Sequence, residues 1–410
     1  MNVLVLNCGS SSVKFQIVDT DLDMINEDAD RRLASGIVER VGGQALVTFQ
    51  AEGQPKERRA EPLRDHRAAV DAILRWIVSR SANIEGIASL ADIHAVGHRV
   101  VHGGEKFKQS VQIDDTVVEG IEDCIDLAPL HNPANLKGIK ATTELLGEGV
   151  PQVAVFDTSF HSTMPQTSYL YAIPYQLYRR HKIRRYGFHG TSHRYLAYRY
   201  RKLKEIEPDA VNIITLHLGN GCSACAIKDG QSFNTSMGFT PLEGLVMGTR
   251  SGDIDPAIVP FLMNKMKMDL GETITYLNKQ CGVWGLSGES SDFRDLWKAS
   301  EKGIERATIA LQVFCYRLKK FIGSYAAAMG GVDAIIFTAG IGENDYLVRE
   351  WAVEGLQFIG ATIDKPLNKE FEHVRGNDVK LSTKESKVDI WCIPTNEELA
   401  IAKETYALCK

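Results

Sequence analysis

No apolar run in this 410-residue chain approaches the roughly 18 residues that a bilayer-spanning helix requires. The start, Met1-Asn2 followed at once by an apolar strand, lacks a basic segment and a leader-like core, so a cytoplasmic protein is expected. An excess of positive charge is missing too. Lys and Arg total 47 against 52 Asp and Glu, a net charge of −5, which leaves no footprint for nucleic acid or an anionic membrane. Low-complexity tracts and proline-rich linkers are absent. The eight cysteines stand mostly in apolar segments and read as reduced small hydrophobes. Cys222 and Cys225 form a lone CxxC with no second pair to complete a zinc site and no following helix to make a redox centre.

Two turns stand out in what is present. Residues 3–18 read as strand, tight polar turn and strand, with Asn7, Ser10, Ser12 and Lys14 at the turn. The device returns at residues 213–228, where His217, Leu218, Gly219, Asn220 and Gly221 occupy the turn. Small residues let a backbone approach a bound group and aim several donors into one concavity, as a phosphate cradle requires. A serine-rich hairpin with an exposed lysine is the plain alternative for the first turn alone. Its repetition suggests a duplicated architecture gripping a nucleotide. Neither turn carries the Walker pattern, so this is a different cradle.

Apolar runs at 93–96, 153–156, 334–337 and 389–393 read as strands buried on both faces, alternating with helical patterns. The clearest helix places Ile304, Ala307, Leu311, Phe314, Leu318, Ile322 and Tyr325 on one stripe, stopped by Gly330-Gly331. Asp21 to Arg32 reads as a flexible charged insertion and Gln50 to Arg64 as an exposed stretch. Asn396 can cap a last helix that packs back onto the first half. Layers of α/β type follow.

Four segments embed Arg or His among Gly, Pro and small residues: 97–105 with His98, Arg99 and His102, 127–133 with His131, 186–193 with His189 and His193, and 247–256 with Arg250. One such segment is as readily a core histidine or a surface ion pair. Four beside two phosphate turns suit charge developing on a phosphoryl group in flight. Gly340, Ile341, Gly342, Glu343 and Asn344 follow a buried strand, either as a nucleotide approach or as a simple strand-to-helix connector. Asp157 ends another such strand, as a reactive carboxylate or as a cap for nearby N–H groups. Glu397 reads either as a magnesium ligand or as a first-turn helix acid.

Taken together these segments closely resemble the acetate and propionate kinase family, within the superfamily of sugar kinases, heat-shock ATPases and actin. The resemblance runs from Val3–Ser12 through Tyr186–His193 to Asn396-Glu397-Glu398, essentially the whole chain. It implies two ribonuclease H-like domains of actin-like ATPase fold with an active-site cleft between them, spanning 1–158 plus 395–410, and 159–394. It implies Mg2+, with Mn2+ as a substitute, at Asn7 and Glu397, and phosphate contacts from Ser10, Ser12 and Lys14. ATP or ADP contacts are implied at 217–221, at Asp292, Phe293 and Arg294, and at 340–344. Arg99 is implied as a substrate ligand, Asp157 as catalytic acid/base, and His189 and Arg250 as transition-state groups with His131 nearby. The implied acyl pocket is Val101, Leu130, Phe188 and Pro241, and valine at 101 leans toward acetate. A homodimer through the second domain is also implied.

The activity so implied is reversible transfer of the ATP γ-phosphoryl group to acetate, with propionate or another short-chain acid as the alternative acceptor and an ATPase switch as a different class of reading. A carboxylate with a free pKa of about 4–5 is already deprotonated at neutral pH and needs no base. On that argument Asp157 orients an arginine or a metal-bound water rather than shuttling a proton.

Overall fold

Val3, Leu4, Val5 and Leu6 are all fully buried, which only a strand covered on both faces allows. Val3 and Val5 pack with Ile401 and Ala402 of the terminal helix Glu397–Cys409. Leu4 and Leu6 join the cluster of Ile73 and Trp76 from the helix His66–Ile77. The computed structural model describes residues 1–374 and 376–410. It separates into two units, Met1–Phe160 with Asn396–Lys410, and His161–Thr395.

The first unit holds β1 (Asn2–Cys8), β2 (Ser12–Asp19), β3 (Arg31–Glu39), β4 (Gly43–Ala51), β5 (Glu57–Leu63), β6 (Ala95–Val100), β7 (Val111–Gln112) and β8 (Gln152–Phe156), in sheet order β5-β4-β3-β2-β1-β6-β8-β7. The second holds β9 (Ile213–Leu218), β10 (Cys222–Lys228), β11 (Gln231–Thr235), β12 (Ala334–Thr338), β13 (Val379–Lys380) and β14 (Asp389–Cys392), in order β11-β10-β9-β12-β14-β13. The two sheets repeat one scheme. An antiparallel hairpin, β1/β2 or β9/β10, supplies the first two strands of each sheet in chain order. Its first strand pairs in parallel with the next element, β6 or β12, which pairs in parallel with β8 or β14. Each sheet ends on a short antiparallel edge strand. The fold is therefore α/β with two similar sheet-containing units, and both polar turns fall at the carboxyl end of the hairpin's first strand. That end is where open α/β sheets bind ligands.

The helix Glu305–Met329 buries Ala307, Leu311, Phe314, Leu318, Ile322 and Tyr325, and stops at Gly330 with φ +80°. Asn396 caps the terminal helix by accepting the Leu399 N–H at 3.0 Å. Other expectations need correction. Residues 21–32 are not a loose insertion: Asp21 accepts the Met24 N–H at 2.8 Å and caps the helix Leu22–Glu27, after which Arg31 opens β3. Residues 50–64 are exposed over most of their length, as expected, and what the sequence did not show is that they form the turn and edge strand β5 of a hairpin with β4, registered Thr48 to Arg58. A charged, unapolar edge strand carries no hydrophobic signature, since much of one side stays wet. The strand expected at 93–96 begins at Ala95 and runs on to Val100, which takes Arg99 into the sheet. No helix among the described residues is long and apolar enough to cross a membrane.

Candidate active site

In the first unit the ends of the parallel strands gather charge. Arg99 Nε and Nη2, on β6, donate to Asp157 Oδ1 and Oδ2 at 2.9 and 2.6 Å. Asp157 sits one residue beyond β8, and its N–H donates to Val100 O at 2.9 Å. Glu397 brings a second carboxylate to 3.7 Å from Arg99 Nε. Gly97 makes this possible: a Cβ there would stand 2.4 Å from Thr405 Oγ1 and 2.6 Å from Ile401 Cγ2, so only glycine lets the terminal helix lie against β6. Burial pushes the Arg99 guanidinium down, and Asp157 and Glu397 more than reverse it, leaving it above its ordinary value. Burial drives the Asp157 carboxyl up against the pull of Arg99. Two short contacts to a permanent cation keep it a carboxylate, so it holds Arg99 rather than capping backbone N–H groups.

The hairpin turn closes with Gly9 N–H on Ser12 O at 2.8 Å, leaving Ser10 and Lys14 exposed and Asn7 and Ser12 half-buried. Two asparagines that sequence reasoning missed brace this end. Asn135 donates to Cys8 O at 2.8 Å and accepts from Val101 N–H at 3.0 Å, while Asn132 exchanges hydrogen bonds with the His102 backbone. Both project from the helix Asn132–Leu146, whose N-cap residue is His131. Leu130, expected to line an acyl pocket, is 67% exposed. Among the described residues no cluster of three His, Cys, Asp or Glu side chains forms a metal cage. Asn7 and Glu397 offer hard oxygens alone, the donor type suited to a magnesium ion that takes its other ligands from water and phosphate. That donor set fits.

In the second unit Gly221 is the focus. A Cβ on it would lie 3.4 Å from Arg250 Nη1 and 3.8 Å from His189 Nε2, so both candidate groups flank the second polar turn. Asn220 O receives the Gly248 N–H at 3.0 Å, tying that turn to the Arg250 loop. Among the described residues no carboxylate pairs with Arg250, whose Nη1 donates to Pro241 O at 3.3 Å. Burial without a counter-charge lowers its pKa. His189 occupies the left-handed region at φ +57°, the N-cap of the helix Gly190–Lys204, and its ring stacks on His217 at 4.1 Å. Such backbone strain persists where the surroundings impose it. Phe188 is buried, its carbonyl in contact with His161 Nε2 at 3.0 Å.

The irregular loop that carries Pro241 and Arg250 is clamped by groups unseen from sequence. Arg185 Nη1 donates to the carbonyls of Thr235, Ser236 and Met237 at 2.8, 3.0 and 3.1 Å. Its Nη2 pairs with Glu243, to which the Tyr171 hydroxyl also donates. Gly244 and Asp253 exchange two hydrogen bonds of 2.8 and 2.9 Å, closing the loop around Arg250. Adjacency of Arg185 to Tyr186 was the one available signal.

Gly340, Ile341, Gly342, Glu343 and Asn344 are not a bare turn but belong to a short helix, Ala339–Asn344, starting directly at the end of β12. Glu343 reaches back to accept from Ala339 N–H at 2.8 Å and Thr338 Oγ1 at 3.2 Å, which starts the helix early. Asp292 caps the helix Phe293–Glu301 and pairs with Arg294, while Phe293 is buried. Leu218 is buried as the last residue of β9.

The family profile described as acetokinase matches residues 2–403. The acetate kinase of Chloroherpeton thalassium is 56% identical over 412 residues, covering 99% of this chain and 98% of the relative. The crystal structure of Porphyromonas gingivalis acetate kinase is 45% identical and covers 100% of both chains with a TM-score of 0.93. That of a propionate kinase from Francisella tularensis is 40% identical and covers 99% of each, with a TM-score of 0.89. Matches of this identity over the full length, on a fold whose two sheets repeat one scheme, leave one conclusion: the chain belongs to the acetokinase family.

Proposed function

We propose that this chain is an acetate kinase, which transfers the γ-phosphoryl group of ATP reversibly and directly to acetate, giving acetyl phosphate and ADP. The observation that carries the mechanism is Arg250, a largely buried cation with no carboxylate partner among the described residues, beside His189 and the second polar turn. An unpaired buried charge is costly unless an anion completes it. A phosphoryl group in transfer, with charge spread over its equatorial oxygens, is such an anion.

The nucleophile is a carboxylate already ionised at neutral pH, so the obstacle is bringing one anion against another. Arg99, held by Asp157, receives the acetate or the phosphoryl oxygens, Arg250 neutralises the moving group, and His189 donates to it. Asp157 thereby acts as orienter of Arg99. Asn7 and Glu397 would hold magnesium, or manganese in its place, which supplies charge neutralisation on the ATP phosphates. Ser10, Ser12 and Lys14 with residues 217–221, Asp292, Phe293, Arg294 and 340–344 serve the nucleotide. Val101, Leu130, Phe188 and Pro241 serve the methyl group, and His131 acts with the catalytic groups.

The same reading includes ribonuclease H-like domains closing an active-site cleft, a cytoplasmic location and a homodimer through the second domain. Exposed Phe261, Leu270 and Ile274 on the helices Ile258–Met266 and Leu270–Lys279 support the last of these. Propionate kinase is the second reading, favoured by the solved relative of that name. Trapping the product with hydroxylamine tests the function. Hydroxamate formed from ATP and acetate, with a higher kcat/KM than from propionate, is expected. ATP hydrolysis without hydroxamate from either acid would overturn it.

A further inference from the structure

We propose that Thr215, His193 and Ser223 form a directional hydrogen-bond relay that fixes His189 as its Nε2–H tautomer, making Ser223 a positioning residue for phosphoryl transfer. The inference rests on the donor role given to His189 above. Three contacts build the chain: Thr215 Oγ1 to His193 Nδ1 at 2.7 Å, His193 Nε2 to Ser223 Oγ at 2.8 Å, and Ser223 Oγ to His189 Nδ1 at 2.8 Å. Thr215, His193 and Ser223 are all fully buried.

The direction follows from counting protons. Among the described residues, His193 Nδ1 is the one hydrogen-bond partner of the Thr215 hydroxyl. If Thr215 accepted from His193, its own proton would be buried with nowhere to go. A buried donor left unmade costs more than an unused hydroxyl lone pair, so Thr215 donates. His193 is neutral, because burial holds its pKa well below the ordinary value, and it therefore carries one ring proton. With Nδ1 accepting from Thr215, that proton is on Nε2 and is donated to Ser223 Oγ. Ser223 has a single proton, which then goes to His189 Nδ1. The remaining proton of a neutral His189 ring is left on Nε2, the atom 3.8 Å from a Cβ placed on Gly221 and on the side shared with Arg250. His217, stacked on His189 and itself in contact with Ser192 Oγ through Nδ1 at 2.8 Å, holds the ring plane.

Such a relay gives a histidine donor without requiring it to be charged. The reverse direction would place His189's proton on Nδ1, facing Ser223, and leave Nε2 an acceptor that repels phosphoryl oxygens. The test is the two-bond proton–nitrogen correlation spectrum of the resting enzyme labelled with 15N-histidine, His189 being assigned by His189→Gln. The expected result is a protonated Nε2 and an unprotonated Nδ1 for His189. Ser223→Ala should mix the tautomers and lower kcat ten- to a hundredfold while KM for acetate and ATP stays within twofold, and Ser223→Thr should recover both spectrum and kcat. A His189 protonated on Nδ1 in the unmodified enzyme overturns the relay, as does Ser223→Ala with an unchanged spectrum and kcat. Either result leaves the acyl-kinase reading standing, since that reading fails only if no hydroxamate forms.

Discussion

Asp157→Asn separates an orienting carboxylate from a proton-transferring one. Asp157 is 1% exposed and holds two nitrogens of Arg99, and the substitution removes its charge while keeping its shape and one acceptor oxygen. Removing one partner of a buried pair costs roughly 3–5 kcal/mol. Glu397 remains 3.7 Å from Arg99, so the low end applies, about 3 kcal/mol. At roughly 2–4 °C per kcal/mol for a unit of this size, the melting temperature should fall by about 6–12 °C. A guanidinium free to drift by about 1 Å should lower kcat by on the order of a hundredfold. Because acetate enters ionised, the pH dependence of the residual rate should keep its shape. Hydroxamate-based rates across pH, with thermal unfolding followed by circular dichroism, measure both quantities. Turnover within threefold of the unmodified enzyme would refute the claim that Asp157 holds Arg99 in working position. A rate that lost its pH dependence would refute the claim that it moves no proton.

Arg250→Met should lower kcat by roughly two to four orders of magnitude, the scale of transition-state cations, yet leave the melting temperature no lower, because it removes a largely buried cation that, among the described residues, has no carboxylate partner. A marked drop in melting temperature would show that Arg250 is structurally paired. Val101→Ala should raise kcat/KM for propionate relative to acetate, by up to the roughly 10–200-fold that one methylene can be worth; an unchanged ratio would remove Val101 from the acyl pocket. Burial holds the His98 and His161 rings at about 4, below their ordinary 6.5. The unfolded chain therefore takes up protons that the folded one refuses, and stability that is full above about pH 6.5 should fall as pH drops toward 4. Each ring contributes up to about 3 kcal/mol to that loss. Urea midpoints independent of pH across this window would contradict the neutral assignment.

Periodicity and turn chemistry are local, and what they encode was legible. The apolar runs within β1 and β12, the stripe on Glu305–Met329, the Asn396 cap and the two polar turns could all be read from neighbouring residues. From them alone follows an α/β chain that uses one strand-turn-strand device twice. The edge strand β5 and the helix Leu22–Glu27 escaped notice, since neither buries enough apolar surface to mark itself.

Sequence spacing could name Arg99, Asp157, His189 and Arg250 as charged residues in unusual company, but not say what each one touches. Only the tertiary structure seated Asp157 against Arg99 across 58 positions, Ser223 against His189 across 34, and Glu243 against Arg185 across 58. Hydrogen bonds of under 3 Å depend on where strands and helices end in space, and a strand order such as β2-β1-β6-β8 brings distant strand ends together without any trace in local pattern. The amino-acid order thus determined which groups are available and which strands are apolar enough to be central. Packing decided which cation meets a counter-ion and which, among the described residues, does not, and so which is left to meet a phosphoryl group.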